Sequence, residues 1–145
     1  MNPTWSCALF DLDGTIIDSA PGITATLAWV FEQLDRPIPT PVELLDWVGP
    51  PILDSFRDRA GMSPAQSQRA LEMYRPRYLE MGLFDSAVYP GVAEVLRGVA
   101  ESPLPLALAT SKPELAAITA LEHYGLADYF DVITGASEDE VRSSK

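Results

Sequence analysis

The stretch FDLDGTIID, residues 10–18, places two aspartates one residue apart where an apolar run meets a glycine. Upstream, Cys7, Ala8, Leu9 and Phe10 are apolar without alternation, the pattern of a strand buried on both faces of a parallel sheet. Ser6 to Leu12 is therefore predicted to be such a strand, with Cys7 as a small core residue and Asp11 at the carboxyl end. Gly14 lets the backbone turn sharply, and amides freed by the turn can cradle phosphate oxygens. A carboxylate at a strand end can attack phosphorus to form an aspartyl-phosphate, splitting one displacement into two. A second carboxyl two residues on can protonate the leaving oxygen and later activate water. On spacing alone, an ordinary strand-to-loop turn with solvated acids describes Asp11, Asp13 and Gly14 equally well.

Beyond this stretch the pattern changes to helices. Ile23, Leu27, Val30, Phe31 and Leu34 recur at helical spacing, so an amphipathic helix is predicted over residues 21–34. RPIPTP breaks it, and Thr40 with Glu43 then forms a capping box around Pro41, opening a short helix that ends near Gly49. After the rigid GPP loop at 49–51, residues 52–60 read as helix with Gly61 as the stop. Ser63, Pro64 and Gln66 repeat the capping grammar and open a longer helix to about Met81, with Pro76 predicted to kink it.

YPGV at residues 89–92 marks a return to alternating elements. Helix over 92–100, strand over 104–110, helix over 113–124 closed by Gly125, and strand over 132–135 follow in turn. That alternation predicts an α/β, Rossmann-like parallel sheet with right-handed crossovers. Residues 1–20 and 87–145 form its core, and residues 21–86 form a helical cap inserted after the first strand. In open α/β sheets the ligand site lies outside the carboxyl ends of the strands. Asp11 and Asp13, Thr110 and Ser111, and the loop after Gly135 all fall at that edge.

The whole chain bounds the function further. Its 145 residues, 47% of them hydrophobic, suffice for one core with a small insertion. A net charge of −11 repels nucleic acid and anionic membrane surfaces, so an anionic substrate needs local attraction. One cysteine excludes an internal disulfide framework and fits a reducing compartment. Asp11 and Asp13 interrupt the N-terminal apolar run before a signal-peptide core or membrane span could form, which makes the cytoplasm the expected location.

DLDGT after an apolar strand, followed by IIDS, closely resembles the first signature of the haloacid-dehalogenase-like phosphatase superfamily. YPGV and LATSKP resemble its sugar- and glycolate-phosphatase branch. The resemblance implies Asp11 as nucleophile and Mg²⁺ ligand, and Asp13 as general acid/base whose backbone carbonyl also binds the metal. Thr110 is implied as a phosphate-binding hydroxyl and Lys145, in EVRSSK, as the lysine that neutralises the nucleophile and the transferring group. Leu12 and Ser111 complete the phosphate-binding candidates. Ser111 can instead be a plain helix N-cap, with Glu114 completing its capping box. Gly49 resembles part of the loop by which such caps face the site, and Lys112 is a second substrate candidate that otherwise reads as a solvated loop lysine. Mg²⁺ suits these oxygen ligands.

In the family the chain continues past this lysine through a strand ending in an acidic pair that completes the metal shell. The 145-residue chain is therefore expected to be a fragment, inactive or weakly active by itself. Hydrolysis of a small phosphorylated metabolite, of the phosphoglycolate or sugar-phosphate type, is the leading reading. A phosphosugar mutase is the enzymatic alternative, and a non-catalytic binding protein is favoured if 145 residues is the natural length. Trp29, Trp47, Phe56, Tyr74 and Tyr78 are expected to pack helices, Arg57, Arg75 and Arg77 to lie on solvated faces, and His123 to carry no chemistry. The sequence leaves oligomeric state open.

Overall fold

A computed structural model describes residues 5–138 of the chain. The polypeptide forms two compact units, Met1–Ile17 with Val88–Lys145, and Asp18–Ala87. Lys145, the sequence-predicted phosphate-binding lysine, lies outside the described residues.

The first unit is built on a parallel sheet of β1 (Ala8–Phe10), β4 (Leu106–Pro113) and β5 (Val132–Ala136), in the order β1-β4-β5. Two further strands, β2 (Ile17–Asp18) and β3 (Ala87–Val88), form a separate two-stranded sheet. Helix α5 (Val92–Ala100) precedes β4, and α6 (Glu114–His123) follows it. Ala8 aligns with Leu106 and Phe10 with Leu108, while Asp131 ties the starts of β4 and β5 together. Its carboxylate accepts from the Leu106 amide at 2.8 Å, and its own amide donates to the Leu106 carbonyl at 2.8 Å. Gly125, at φ +67°, closes α6 in a left-handed conformation as its position in the sequence predicts.

Two expectations about the first strand are corrected. It is three residues long, and it is not buried on both faces: Leu9 is 66% exposed. Among the described strands β1 has a neighbour, β4, on one side only, and Leu9 is exposed there. Cys7 precedes the strand and is exposed, not a core residue.

The second unit contains α1 (Ala20–Gln33), α2 (Pro41–Leu45), α3 (Ile52–Asp58) and α4 (Pro64–Glu80). Both predicted capping boxes form. The Thr40 hydroxyl accepts from the Glu43 amide at 3.3 Å while Glu43 Oε2 accepts from the Thr40 amide at 2.8 Å. Ser63 and Gln66 exchange the equivalent pair at 3.2 and 2.9 Å. Orphaned amides of the first turn are satisfied in this way, which starts each helix at its proline.

The core of this unit is aromatic. Phe31, Trp47 and Phe56 meet pairwise with ring centroids 5.4–6.2 Å apart, and Tyr74 stacks on Tyr78 at 5.4 Å. Four of the five aromatics predicted to pack helices are buried, and the fifth, Trp29, carries the Arg77 guanidinium over its ring at 5.1 Å. Arg57 is paired with Asp54 and Asp58, so its charge is already balanced on the surface. No helix among the described residues is long and apolar enough to cross a membrane.

Candidate active site

The loop after β1 is held by burial of the residues between and beyond its acids. Leu12, Ile16 and Ile17 are at most 1% exposed. Each such side chain contributes about 1.5–3 kcal/mol on leaving water. The Leu12 carbonyl gathers the amides of Thr15, Ile16 and Ile17 at 2.9–3.2 Å, and the Gly14 amide donates to the Ile17 carbonyl at 2.9 Å. Gly14 has φ +76°, a left-handed conformation that a side chain would strain. These bonds fix the loop, and with it the half-buried Asp11 and Asp13. Asp11 Oδ1 accepts from the Leu12 amide at 2.8 Å, so that this amide is engaged by the neighbouring carboxylate.

From the adjacent strand come Thr110, Ser111 and Lys112. The strand is predicted to stop at Thr110, yet β4 runs to Pro113, where it aligns with Ala136 of β5. The register of β4 on β5 shifts between Ala109 and Pro113, within the segment that carries the three polar residues. Such irregularities re-aim side chains at a sheet's edge. Thr110 and Lys112 continue the buried alternation of Leu106 and Leu108, whereas Ser111 falls among the half-buried alternate positions.

This overturns the reading of Ser111 as a helix N-cap. The residue flanking α6 is Pro113, which has no side-chain cap, and Glu114 accepts from the Gly135 amide at 3.2 Å instead. Lys112 is likewise not a solvated loop lysine. Its side chain is 5% exposed, and Nζ lies 2.8 Å from Oδ1 of Asp13, whose side chain is 8% exposed. The Lys112 amide donates to the Thr110 hydroxyl at 3.1 Å.

Asp13, Thr110 and Lys112 therefore form one bonded group at the carboxyl end of the sheet, with Asp11 two residues before Asp13 in the pinned loop. Gly49, at φ +106°, belongs to the helical unit. Gly135 has a steric role that the sequence does not announce: a Cβ there would fall 2.6 Å from the Lys112 carbonyl oxygen and 2.8 Å from the Glu114 nitrogen. The sequence carries no signal for the strand's true length, because Thr110 and Lys112 are polar and only their burial continues the alternation of Leu106 and Leu108.

Among the described residues no three His, Cys, Asp or Glu side chains gather as a metal-binding group. The donors at the loop are hard oxygens from two carboxylates and the main chain. That set fits Mg²⁺, which commonly takes one or two carboxylates and keeps several waters. It does not fit a closed four-ligand zinc site.

An α/β protein with two acids and a lysine bonded to one of them at the carboxyl ends of parallel strands is thereby defined. The family described as haloacid dehalogenase-like hydrolase matches residues 8–145, and the chain belongs to that family. A 5'-nucleotidase of Pseudomonas aeruginosa is 33% identical over 137 residues, covering 94% of this chain and 62% of that protein. The tyrosine-protein kinase PtkA of Mycobacterium tuberculosis is 34% identical over 137 residues, covering 94% and 46%. A phosphoglycolate phosphatase of Pseudomonas syringae is 32% identical over 134 residues, covering 88% and 49%. The crystal structure of a predicted phosphatase from Clostridium acetobutylicum superposes with a TM-score of 0.91 at 35% identity, over 96% of this chain and 64% of that one. The chain thus spans less than two thirds of the length of each of these proteins.

Proposed function

We propose that the protein hydrolyses a small phosphate monoester, of the phosphoglycolate or sugar-phosphate type, through an aspartyl-phosphate on Asp11. The observation that carries this reading is the acid pair in a pinned loop at the end of β1, with Lys112 bonded to the second acid. Membership of a hydrolase family and resemblance to proteins named for nucleotide and phosphoglycolate hydrolysis support it.

In the first step an Asp11 carboxylate oxygen bonds to phosphorus and the ester P–O bond breaks, with Asp13 giving its proton to the departing oxygen. In the second, water attacks the phosphoryl group of the phosphoaspartate, Asp13 takes the water's proton, and Asp11 is regenerated with release of phosphate. Asp11 and the Asp13 carbonyl would hold a Mg²⁺ ion, which when bound neutralises phosphoryl charge. Thr110 offers a hydroxyl to a phosphate oxygen, alongside Ser111 and, once Asp11 releases it, the Leu12 amide as further candidates. Phosphoryl transfer is mainly positioning and charge stabilisation, which is what such a group of residues supplies. We assign substrate selection to the helical unit, with Gly49 as a candidate, and a cytoplasmic location to the protein.

The test is phosphate release by the full-length protein with Mg²⁺. Asp11→Asn, nearly isosteric and unable to form the acyl phosphate, is expected to lose at least about a thousandfold in kcat. Phosphate release within a few-fold of wild type removes the nucleophile assignment.

A further inference from the structure

Lys112 makes a contact that its place in the sequence does not announce. Ninety-nine residues separate it from Asp13, yet the two side chains meet at 2.8 Å with both almost fully buried. Its main chain is held as firmly. The Lys112 amide donates to the Thr110 hydroxyl, and the bare α-carbon of Gly135 lets the Lys112 carbonyl lie where any Cβ would collide. A lysine in water samples many rotamers, whereas this one is fixed at its backbone and at its ammonium. The carboxylate on which it ends is correspondingly fixed.

From this geometry we infer that Lys112 is a positioning residue that holds the Asp13 carboxyl in the orientation required for proton transfer. The inference rests on the aspartyl-phosphate reading above and assigns within it a residue that acts through Asp13. One carboxylate oxygen, Oδ1, takes the ammonium, which restrains rotation of the carboxyl group. A general acid works only within hydrogen-bond reach of the atom it protonates, so loss of that orientation is felt where a proton must move. It is not felt where the leaving group departs without one.

Leaving-group dependence in the full-length, Mg²⁺-supplied protein separates this role from a structural one. Phosphoenzyme formation is followed by rapid quench with two probes: glycerol phosphate, whose alkoxide needs a proton to leave, and dinitrophenyl phosphate, whose phenolate does not. Lys112→Met is expected to slow formation from glycerol phosphate by about tenfold to a hundredfold, a part of the range typical of general acid catalysis. With dinitrophenyl phosphate the loss is expected to stay below about twofold. In an Asp13→Asn background the same substitution is expected to cost less than a further twofold or so on glycerol phosphate, since coupled residues are not additive.

Should Lys112→Met not fold, Lys112→Arg carries the test. It keeps the charge but not the shape, and is expected to give the same ester dependence with a smaller loss. Equal losses on the two esters, no loss on either, or a full additional loss in the Asp13→Asn background overturns the inference and leaves the parent reading standing. A wild-type protein that forms no phosphoenzyme from either ester overturns both.

Discussion

The helical unit and the sheet unit are specified over different distances along the chain. In the helical unit the contacts that start the helices span three residues: Thr40 with Glu43 and Ser63 with Gln66 satisfy nearby amides. In the sheet unit they span tens: Asp131 reaches Leu106, Glu114 reaches Gly135, and Lys112 reaches Asp13. A local contact is written into a short window of sequence, and a distant one only into the fold. The candidate site belongs to the second kind, apart from its first loop.

The comparison can be broken most forcefully at the aromatic core, where the helical unit depends on more than local capping. Phe56 is fully buried between Phe31 and Trp47. Phe56→Ala is expected to cost about 3–5 kcal/mol of stability, measured by urea unfolding followed through tryptophan fluorescence. A loss below about 1 kcal/mol would mean that capping and propensity alone hold these helices. Next in size is Gly135→Ala, expected to cost about 1–3 kcal/mol because a Cβ meets main-chain atoms of Lys112 and Glu114. The same variant should lower phosphatase activity through the displaced Lys112. Wild-type activity in a destabilised Gly135→Ala protein would show that β5 supports the sheet but not the site.

Ser63→Ala removes one capping acceptor and is expected to cost about 1 kcal/mol in the same unfolding assay. The smallest effect concerns pH. Glu43 is held below the usual carboxylate range, first by its bond from the Thr40 amide and then by the Thr40 hydroxyl. A carboxyl lowered in the folded state stabilises above its unfolded pKa of about 4.3 and loses that contribution as pH falls through the folded value. Wild type should therefore exceed Glu43→Ala in unfolding midpoint at neutral pH, with the gap closing as the pH falls below the ordinary carboxylate range. A gap that persists in acid would assign the Glu43 contribution to packing instead.

The legibility of the molecule follows the same division. Helices opening at Pro41 and Pro64 are visible because an N-cap hydroxyl, a proline and a glutamate or glutamine fall in one short window. The turn at Gly14 is visible for a similar reason, since only glycine takes its φ of +76° without strain. By contrast, the apolar run at 7–10 cannot reveal whether its strand is central or at an edge, because that depends on neighbours about a hundred residues away. Local grammar misleads at Ser111: Ser111 and Glu114 have the spacing of a capping box, but β4, paired with β5, runs past Ser111 to Pro113. Burial of Lys112 depends on Asp13, and no pattern around residue 112 contains its partner.

The central claim is that Asp11 carries the phosphoryl group, and trapping that intermediate tests it most directly. The full-length protein with Mg²⁺ is mixed with a phosphate monoester, quenched in acid within milliseconds, digested and mapped by mass spectrometry. One phosphoryl group on the peptide containing Asp11, absent from the Asp11→Asn protein, is the predicted result. Steady phosphate release with no phosphorylated Asp11 at any quench time, or the group on another residue, would contradict the account.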